Sequence, residues 1–421
     1  MAVNMLGLAT KRFASVWQHV SMGPPDPILG IAEAFKRDTH MRKVNLGVGA
    51  YRDDNNKPWV LPCVRKAEEL LHSQGLDHEY SPLRGIDAFR AAAVKLAYGE
   101  NCAAVKENRV ASVQCLSGTG SLRLGMAFLE RFHKNSRVVL VPKPTWGNHK
   151  NIARDSGLSF QEYRYYDPET KGVDLSGLLS DLEAAPQKSV VLLHACAHNP
   201  TGADPTQEDW VKIQTVMARK QHVAFFDMAY QGFASGDPEK DAFAVRHFVK
   251  EQSPVLLAQS FAKNFGLYGE RVGNFSVVSA NSHEQDRILS QLLILTRPMH
   301  SSPPIHGARL VSAVLNTPDL ATQWSQDVHT MADRIISMRA SLVSHLKDKG
   351  SQHNWSHITR QIGMFAYTGL TPVQSKQLTD NHHIYLTLDG RISIAGLNTR
   401  NVEYVADAME KVTRYHEKGS I

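Results

Sequence analysis

An alternation of predicted strands and helices, beginning near Leu61, limits the folds open to this chain. Short apolar runs bounded by turn residues predict strands at residues 110–116, 138–141, 189–195 and 222–227. Apolar residues at three- and four-residue spacing predict helices before and between them, at residues 64–71, 86–98, 121–132 and 204–220. This order favours an α/β fold in which helices cover both faces of a mostly parallel sheet.

The residues just beyond the strands are the candidates for chemistry, because ligands of such sheets bind at the carboxyl ends of the strands. Ser117, Gly118 and Thr119 follow the first predicted strand, where small residues at a helix start can leave backbone N–H groups free for a phosphate. A tight structural turn explains them equally well. Asn199 follows the third strand in a sharp Asn-Pro turn, and its side chain can hold a ring oxygen or cap the turn.

Two charged residues follow the later strands. Asp227 closes an apolar run, with Tyr230 three residues further on, and such a carboxylate needs either a cationic partner or a helix to cap. Lys263 lies in a stretch rich in Ser, Asn and Gly that is predicted to be a loop. A lone lysine is ordinarily a solvated cation. Ser260 and Arg271 lie close to it in sequence, however, and a neighbouring cation favours the free amine that attacks a carbonyl.

Together these groups predict a site for pyridoxal 5'-phosphate: a phosphate cradle, a carboxylate for a pyridinium nitrogen and a lysine for a Schiff base. The sequence also resembles the pyridoxal phosphate aminotransferases of fold type I, from about Ser15 to the C-terminus, most closely the aspartate-specific group of mitochondrial type. The segments that carry the resemblance are residues 44–52, 194–202, 260–273 and 303–309. It implies a large cofactor-binding domain and a smaller α+β domain joined by a long helix.

The resemblance implies a role for each strand-end residue. Lys263 is similar to the lysine that joins the cofactor and moves the proton, with Asp227 and Tyr230 as the other catalytic residues. The residues that resemble cofactor ligands are Ser117, Gly118, Thr119, Trp146, His194, Asn199, Asp227, Tyr230, Ser260, Lys263 and Arg271, with Tyr80 of the partner subunit. The residues that resemble substrate contacts are Gly49, Trp146, Asn199, Arg297 and Arg391.

Two arginines carry the implied substrate choice. Arg391 resembles the arginine that binds the α-carboxylate, and Arg297 the one that the partner subunit of a homodimer supplies for the distal carboxylate; the guanidinium fork suits both tasks. The implied substrates are dicarboxylic amino acids and 2-oxo acids, and the implied reaction moves the amino group between L-aspartate and 2-oxoglutarate. His300 and Ser302 stand where the family commonly has tyrosine and asparagine, so a broad-specificity aspartate and aromatic aminotransferase is the alternative.

The predicted domains are a large one, residues 58–330, and a small one formed by residues 26–57 and 331–421. A net charge of +6 spread along the chain indicates no nucleic-acid partner, and no apolar run is long enough to span a membrane. Four cysteines without metal-binding spacing indicate reduced thiols and no metal site.

The first 25 residues contain Lys11 and Arg12 but no acidic residue. Residues 1–14 are compatible with a targeting presequence, which favours the mitochondrial matrix. The alternative is that they form a flexible arm without a targeting function and that the protein is cytoplasmic. Residues 15–25 are predicted to be an N-terminal arm, whose Trp17 and Met22 need a surface to pack against, such as a partner subunit.

Overall fold

Seven strands form one sheet at the centre of the computed structural model, which describes residues 15–23 and 27–417. The targeting presequence predicted at residues 1–14 lies outside the described residues. In chain order the strands are β1 (Val44–Asn45), β2 (Val110–Leu116), β3 (Val138–Lys143), β4 (Ser159–Arg164), β5 (Tyr166–Asp167), β6 (Gly172–Val173), β7 (Val190–His194), β8 (Val223–Met228), β9 (Val255–Ser260), β10 (Val272–Val278), β11 (Phe365–Tyr367), β12 (Ile384–Tyr385) and β13 (Arg391–Ser393).

The large sheet has the order β2-β10-β9-β8-β7-β3-β4. Its neighbouring strands are parallel except at β10, which runs antiparallel to both β2 and β9. The prediction of an α/β fold with a mostly parallel sheet is therefore confirmed.

Helices lie before, between and after these strands in the chain. They are α1 (Pro27–Arg37), α2 (Pro62–Ser73), α3 (Asp87–Tyr98), α4 (Ala103–Lys106), α5 (Ser117–Phe132), α6 (Asn148–Asp155), α7 (Leu175–Ala184), α8 (Gln207–Arg219), α9 (Pro238–Asp241), α10 (Phe243–Lys250), α11 (Ser282–Met299), α12 (His306–Asn316), α13 (Pro318–Asp348), α14 (Ser356–Arg360), α15 (Pro372–His382) and α16 (Val402–Glu417). Within residues 15–23 and 27–417, none of them has the length and hydropathy needed to cross a bilayer.

The central strands of the sheet are buried on both faces, which explains why β7, β8 and β9 are mostly apolar rather than alternating. Phe225 and Phe226 are neighbours on β8 and both are fully buried, but successive side chains of a strand point to opposite faces. Phe225 lies against Gly125 of α5, whereas Phe226 packs with Trp210 of α8.

The long helix predicted from Leu320 to Lys349 is observed as α13. Its buried residues recur at helical spacing and include Trp324, Val328, Met331, Ile335, Met338, Leu342 and Leu346. The smaller part of the fold contains two short sheets, parallel β1–β12 and antiparallel β11–β13. One apolar cluster joins residues on both sides of the proposed boundaries, so the division at residues 57/58 and 330/331 stays a prediction.

Two helix starts differ from the prediction by three residues or more, each for a local reason. The helix predicted from residue 121 begins at Ser117, so the predicted phosphate cradle is its first turn rather than a loop before it. The helix predicted from Asp204 begins at Gln207, after a capping box made by Thr206 and Asp209. Asp204 is not part of this helix because its carboxylate accepts backbone N–H groups from the preceding turn.

Candidate active site

A cavity of about 220 Å³ lies beyond the carboxyl ends of β2, β7, β8 and β9. It gathers every predicted site residue except Tyr80 and Arg297. The predicted residues that line it are Gly49, Ser117, Gly118, Thr119, Trp146, His194, Asn199, Asp227, Tyr230, Ser260, Lys263, Arg271 and Arg391. The sequence reasoning missed Leu122, Cys196, Ala229 and Phe365, which also line it.

The first turn of α5 is shaped to receive an anion. Ser117 adopts a φ of 61°, and its Oγ lies 2.9 Å from Oγ of Ser260 at the end of β9. A Cβ on Gly118 would lie 3.1 Å from Cβ of Ser260, and one on Gly273 would lie 2.5 Å from the carbonyl of Ser117. Small residues therefore let β9, β10 and the helix start come together, and the free N–H groups of that turn favour a phosphate.

Lys263 lies in the turn that connects β9 to β10, as the loop prediction required. Its amine has no hydrogen-bond partner anywhere in the described part of the chain, although its Nζ lies 5.6 Å from the centre of the Tyr268 ring. Burial, reinforced by the charge of Arg271 and opposed by that of Asp227, lowers the pKa of Lys263 to about 8. The sequence pointed to Arg271 as the cause, but burial is the larger one, and the result is a lysine partly deprotonated near neutral pH.

Asp227 is paired with a histidine that the sequence reasoning did not assign. Nε2 of His149, in the first turn of α6, lies 3.0 Å from the carboxylate. Burial acts to raise the pKa of Asp227, but the hydrogen bond and charge of His149, with smaller contributions from His194 and Lys263, outweigh it and lower the pKa. The carboxylate therefore stays ionised inside the cavity wall, where it can pair with a protonated ring nitrogen.

Hydrogen bonds connect Asn199 to Asp227 through two histidines. The backbone N–H of Asn199 donates to Nδ1 of His194, at 3.4 Å, so Nε2 of this ring carries the proton and donates to Oγ1 of Thr145, at 3.2 Å. Oγ1 of Thr145 also lies 2.8 Å from Nδ1 of His149, whose Nε2 is the atom bonded to Asp227. Burial, reinforced by His149, lowers the pKa of His194 to about 3, so its ring is neutral and the direction of its own two hydrogen bonds is fixed.

Arg391, in β13, is the buried cation of the cavity, with 4% of its surface exposed. Its Nη2 donates to the carbonyl of Gly47 at 3.0 Å and its Nη1 to Oδ1 of Asn199 at 3.3 Å, while its guanidinium lies 4.2 Å from the centre of the Phe365 ring. Burial lowers the pKa of Arg391, and Asp389 opposes this shift. Its buried Nε has no partner in the described part of the chain, so the cation keeps donor capacity for an anion.

The remaining wall residues fix the shape of the cavity. The ring of Trp146 meets that of His149 edge to face, with centroids 5.2 Å apart. Tyr230 is buried, and burial raises the pKa of its hydroxyl, with Asp227 adding to the shift. A Cβ on Gly49 would lie 2.8 Å from Cζ of Phe365, so a glycine is needed for this close approach.

Tyr80 and Arg297 lie outside the cavity of their own chain. Tyr80 is 87% exposed, and Nη1 of Arg297 donates to Oγ of Ser301, at 2.7 Å. Neither residue contributes to the chain's own site, and their assignment to a site of the partner subunit stays a prediction.

The sequence matches the family described as aminotransferase class I and II over residues 41–409. The chain belongs to this family. Among its relatives is the mitochondrial aspartate aminotransferase of Gallus gallus, which is 57% identical over 406 residues, or 96% of each chain. This aminotransferase also superposes on the cytoplasmic aspartate aminotransferase of Saccharomyces cerevisiae with a TM-score of 0.93 and 46% identity, covering 95% of this chain and 99% of the other.

The aminotransferases of this family depend on pyridoxal phosphate, and the predicted cofactor is confirmed. One solved relative, an aromatic-amino-acid aminotransferase from Burkholderia pseudomallei, is covalently bound to it. That structure has a TM-score of 0.92 and 41% identity, and the match covers 95% of this chain and all of the other. The residues of the cavity fit the group, since they offer an unpartnered amine at Lys263, an ionised carboxylate at Asp227 and the anion cradle of α5.

Proposed function

We propose that this aminotransferase moves the amino group between L-aspartate and 2-oxoglutarate, giving oxaloacetate and L-glutamate. The observation that carries the proposal is the pairing, in one cavity, of the Lys263 amine with the buried guanidinium of Arg391. A group that reacts with amino acids thus lies in one cavity with a cation that suits their α-carboxylate. The similarity to named aspartate aminotransferases supports the choice of substrates.

Bound pyridoxal phosphate supplies an aldehyde that bonds an amine and a ring that withdraws electrons from the adjoining carbon. The residues that would hold its phosphate are Ser117, Gly118, Thr119, Ser260 and Arg271. The residues that would hold its ring are Trp146, His194, Asn199, Asp227 and Tyr230. Of these, Asp227 has the chemical role of keeping the pyridine nitrogen protonated, because its own pKa is held low.

Lys263 acts as the base of the reaction. With a pKa near 8, a useful fraction of its Nζ is uncharged at neutral pH and can accept the proton from the substrate Cα. Arg391 orients the substrate for this transfer, because a fork bonded to the α-carboxylate fixes the carbon next to it. Gly49, which lines the cavity beside the ring of Phe365, would contact the substrate through its backbone.

The working enzyme is a homodimer with shared active sites. In this arrangement the partner's Arg297 binds the distal carboxylate and the partner's Tyr80 reaches the phosphate. The exposure of both residues in the single chain supports this, as does the apolar arm, where Trp17 is 71% and Met22 96% exposed. The domains are residues 58–330 and, for the small domain, residues 26–57 with 331–421.

The mitochondrial matrix is the proposed compartment. It is supported by the acid-free, basic residues 1–14 and by the mitochondrial relative of Gallus gallus, whereas a similar structure comes from the cytoplasm of Saccharomyces cerevisiae. A fluorescent protein fused to the C-terminus should follow a mitochondrial dye in cells, and deletion of residues 1–14 should release it into the cytoplasm. Cytoplasmic fluorescence from the full chain would decide for the alternative compartment.

A coupled assay tests the reaction. Purified protein with pyridoxal phosphate, aspartate and 2-oxoglutarate should form oxaloacetate, and kcat/KM for aspartate should exceed that for tyrosine. Equal values for the two amino acids would favour the broad-specificity alternative, for which His300 and Ser302 beside Arg297 are the reason. No turnover of either amino acid would reject the proposal.

A further inference from the structure

Arg339 is a buried arginine outside the cavity, on α13. Only 2% of its surface is exposed, and its guanidinium donates to the carbonyls of Ile358 (Nη1, 2.8 Å), Gly363 (Nη2, 2.7 Å) and Phe365 (Nη2). Burying a guanidinium is unfavourable unless its donors are used. An apolar side chain of similar length would fill the volume but leave these carbonyl oxygens without donors, so the hydrogen bonds explain why an arginine stands here.

The last of these carbonyls belongs to a residue of the cavity wall. Phe365 begins β11, which pairs with β13 so that Phe365 faces Ser393 and Tyr367 faces Arg391. The ring of Phe365 also lies against the guanidinium of Arg391. Arg339 therefore fixes the backbone of the residue on which the α-carboxylate arginine packs.

The same turn is fastened to the segment that carries Asn199. The N–H of Ile362 donates to the carbonyl of Gly202 at 2.7 Å. Gly363 packs so closely on this segment that a Cβ on it would lie 2.4 Å from Cβ of Ala197. The turn held by Arg339 therefore contacts both segments that flank the α-carboxylate position.

Asp204 supplies a carboxyl group on the Asn199 side. Its carboxylate accepts the N–H groups of Ala197, at 2.6 Å, and His198, at 2.8 Å. Burial raises the pKa of Asp204 and the charge of Arg339 opposes this, so the two groups stabilise each other's ionised form. Arg339 therefore interacts with both the segment that carries Asn199 and the strand that pairs with that of Arg391. Nη1 of Arg391 donates to Oδ1 of Asn199 at 3.3 Å.

We propose that Arg339 is a positioning residue for substrate recognition. Its guanidinium holds the 358–365 turn against the 197–204 segment, so that Arg391 and Asn199 keep the spacing that an amino-acid carboxylate requires. The inference rests on the proposed function, because it takes Arg391 as the group that binds the α-carboxylate. It predicts that loss of Arg339 weakens substrate binding more than it slows the chemical step.

The test compares Arg339→Met and Arg339→Lys in the holoenzyme. Arg339→Met should raise KM for aspartate and for 2-oxoglutarate by about tenfold, since a displaced Arg391 loses part of its charge-assisted hydrogen bonding to the α-carboxylate. Both KM values should rise by a similar factor, because both substrates present an α-carboxylate. Arg339→Lys keeps the charge but cannot reach all three carbonyls, so it should give an intermediate rise.

Arg246→Met is the matched control. Arg246 also donates to backbone carbonyls, those of Leu96 and Ala97, but it lies on α10 away from the cavity. This variant should lose stability while keeping both KM values.

Two further measurements separate positioning from general destabilisation. Hydrogen exchange of the holoenzyme should show faster exchange in residues 361–367 for Arg339→Met and no change there for Arg246→Met. Combined with Arg391→Lys, the Arg339→Met change should add little to KM, because the group it positions is already altered.

An unchanged KM in folded Arg339→Met, or additive effects with Arg391→Lys, overturns the proposal. If Arg339→Met does not fold, the same criteria apply to Arg339→Lys. A normal KM in Arg391→Lys alone, with the exchange difference present, would instead contradict the proposed function and leave the role of Arg339 in holding the turn supported.

Discussion

The two arginines proposed to bind the substrate carboxylates have opposite surroundings. Arg391 is 4% exposed, bonded to Gly47 and Asn199 and packed on Phe365. Arg297 is exposed near the end of α11 and bonds the side chain of Ser301. Arg391 therefore lines the cavity of its own chain, whereas Arg297 lies outside that cavity.

On the proposed function, the difference teaches that the two carboxylate sites are completed at different levels of assembly. A buried guanidinium requires acceptors around it before the substrate arrives, and the chain supplies them to Arg391. Arg297 stays solvated, which costs little, until another surface covers it. The α-carboxylate position is thus a property of the folded chain, and the distal position, on the proposed function, is a property of the dimer.

The largest effect should come from Lys263→Ala. This change removes the amine next to which both arginines are proposed to hold the substrate. Turnover should fall by roughly ten-thousandfold or more, because the variant loses both the nucleophile and the base. Lys171→Ala is the matched control: burial also lowers the pKa of Lys171, but this lysine lies outside the cavity, near Trp355. It should keep nearly full activity.

The measurement is the steady-state rate, joined to mass spectrometry of the borohydride-reduced protein. The pyridoxyl mass should be on the peptide that contains Lys263 in the unaltered chain and absent from Lys263→Ala. Substantial turnover in that variant, or an adduct on another lysine, would contradict the assigned role.

The second largest effect separates the two arginines by substrate. Arg391→Lys should lower kcat/KM by about a hundredfold for every amino acid, since a charge-assisted pair is worth about 1.5–3 kcal/mol and lysine loses the bidentate geometry. Arg297→Lys should lower it by a similar factor for aspartate and glutamate only, leaving phenylalanine unchanged. If both changes affect phenylalanine alike, the division into α- and distal sites fails.

The local patterns that identified the strand-end residues could not identify their partners. Ser117, Asn199 and Asp227 were found because strand periodicity marks where each strand ends, and the fold brings those ends to one edge. His149 meets Asp227, and Phe365 meets Arg391, only through the tertiary fold. No short-range spacing encodes these contacts.

Strand β10 shows another limit of the sequence. Its central residues Asn274 and Ser276 are fully buried yet polar, so the run lacks the apolar pattern that predicts a buried strand. The structure gives each of them a hydrogen bond, since Nδ2 of Asn274 donates to Oε1 of Gln259 and Ser276 bonds the hydroxyl of Tyr98. Those partners become visible only when the strand is in place between β2 and β9.

A third prediction tests directly whether Arg297 serves a second copy. Lys263→Ala and Arg297→Ala homodimers should both be poorly active with aspartate. In a hybrid of the two, one site combines an intact Lys263 with the partner's Arg297 and is complete. Equal mixing should therefore restore about a quarter of normal activity, since half of the dimers are hybrids and each has one good site.

Differently tagged subunits allow the hybrid dimer to be purified and its composition confirmed before the assay. The control hybrid pairs an unaltered subunit with one that carries both changes. Its single lysine-bearing site then lacks Arg297, so it should be poorly active with aspartate. High activity there, with none in the complementing hybrid, would place Arg297 in the site of its own chain.

The smallest effect concerns the pH dependence of Lys263. It compares Arg271, which lines the cavity, with Arg297, which lies outside it. The pKa of Lys263 is lowered to about 8, so the free-amine fraction should rise about tenfold between about pH 7 and about pH 9. The rate at which the cofactor-free protein bonds pyridoxal, which lacks the phosphate, should follow that rise.

Two variants test the cause of the lowered pKa. Arg271→Gln removes a charge that disfavours the ammonium form of Lys263 and should move the midpoint of the pH profile to higher pH, whereas Arg297→Gln should leave the midpoint in place. If the midpoint moves equally in both variants, the charge of Arg297 also acts on the Lys263 amine. Arg297 would then not be electrostatically separate from the cavity, contrary to what its exposed position predicts.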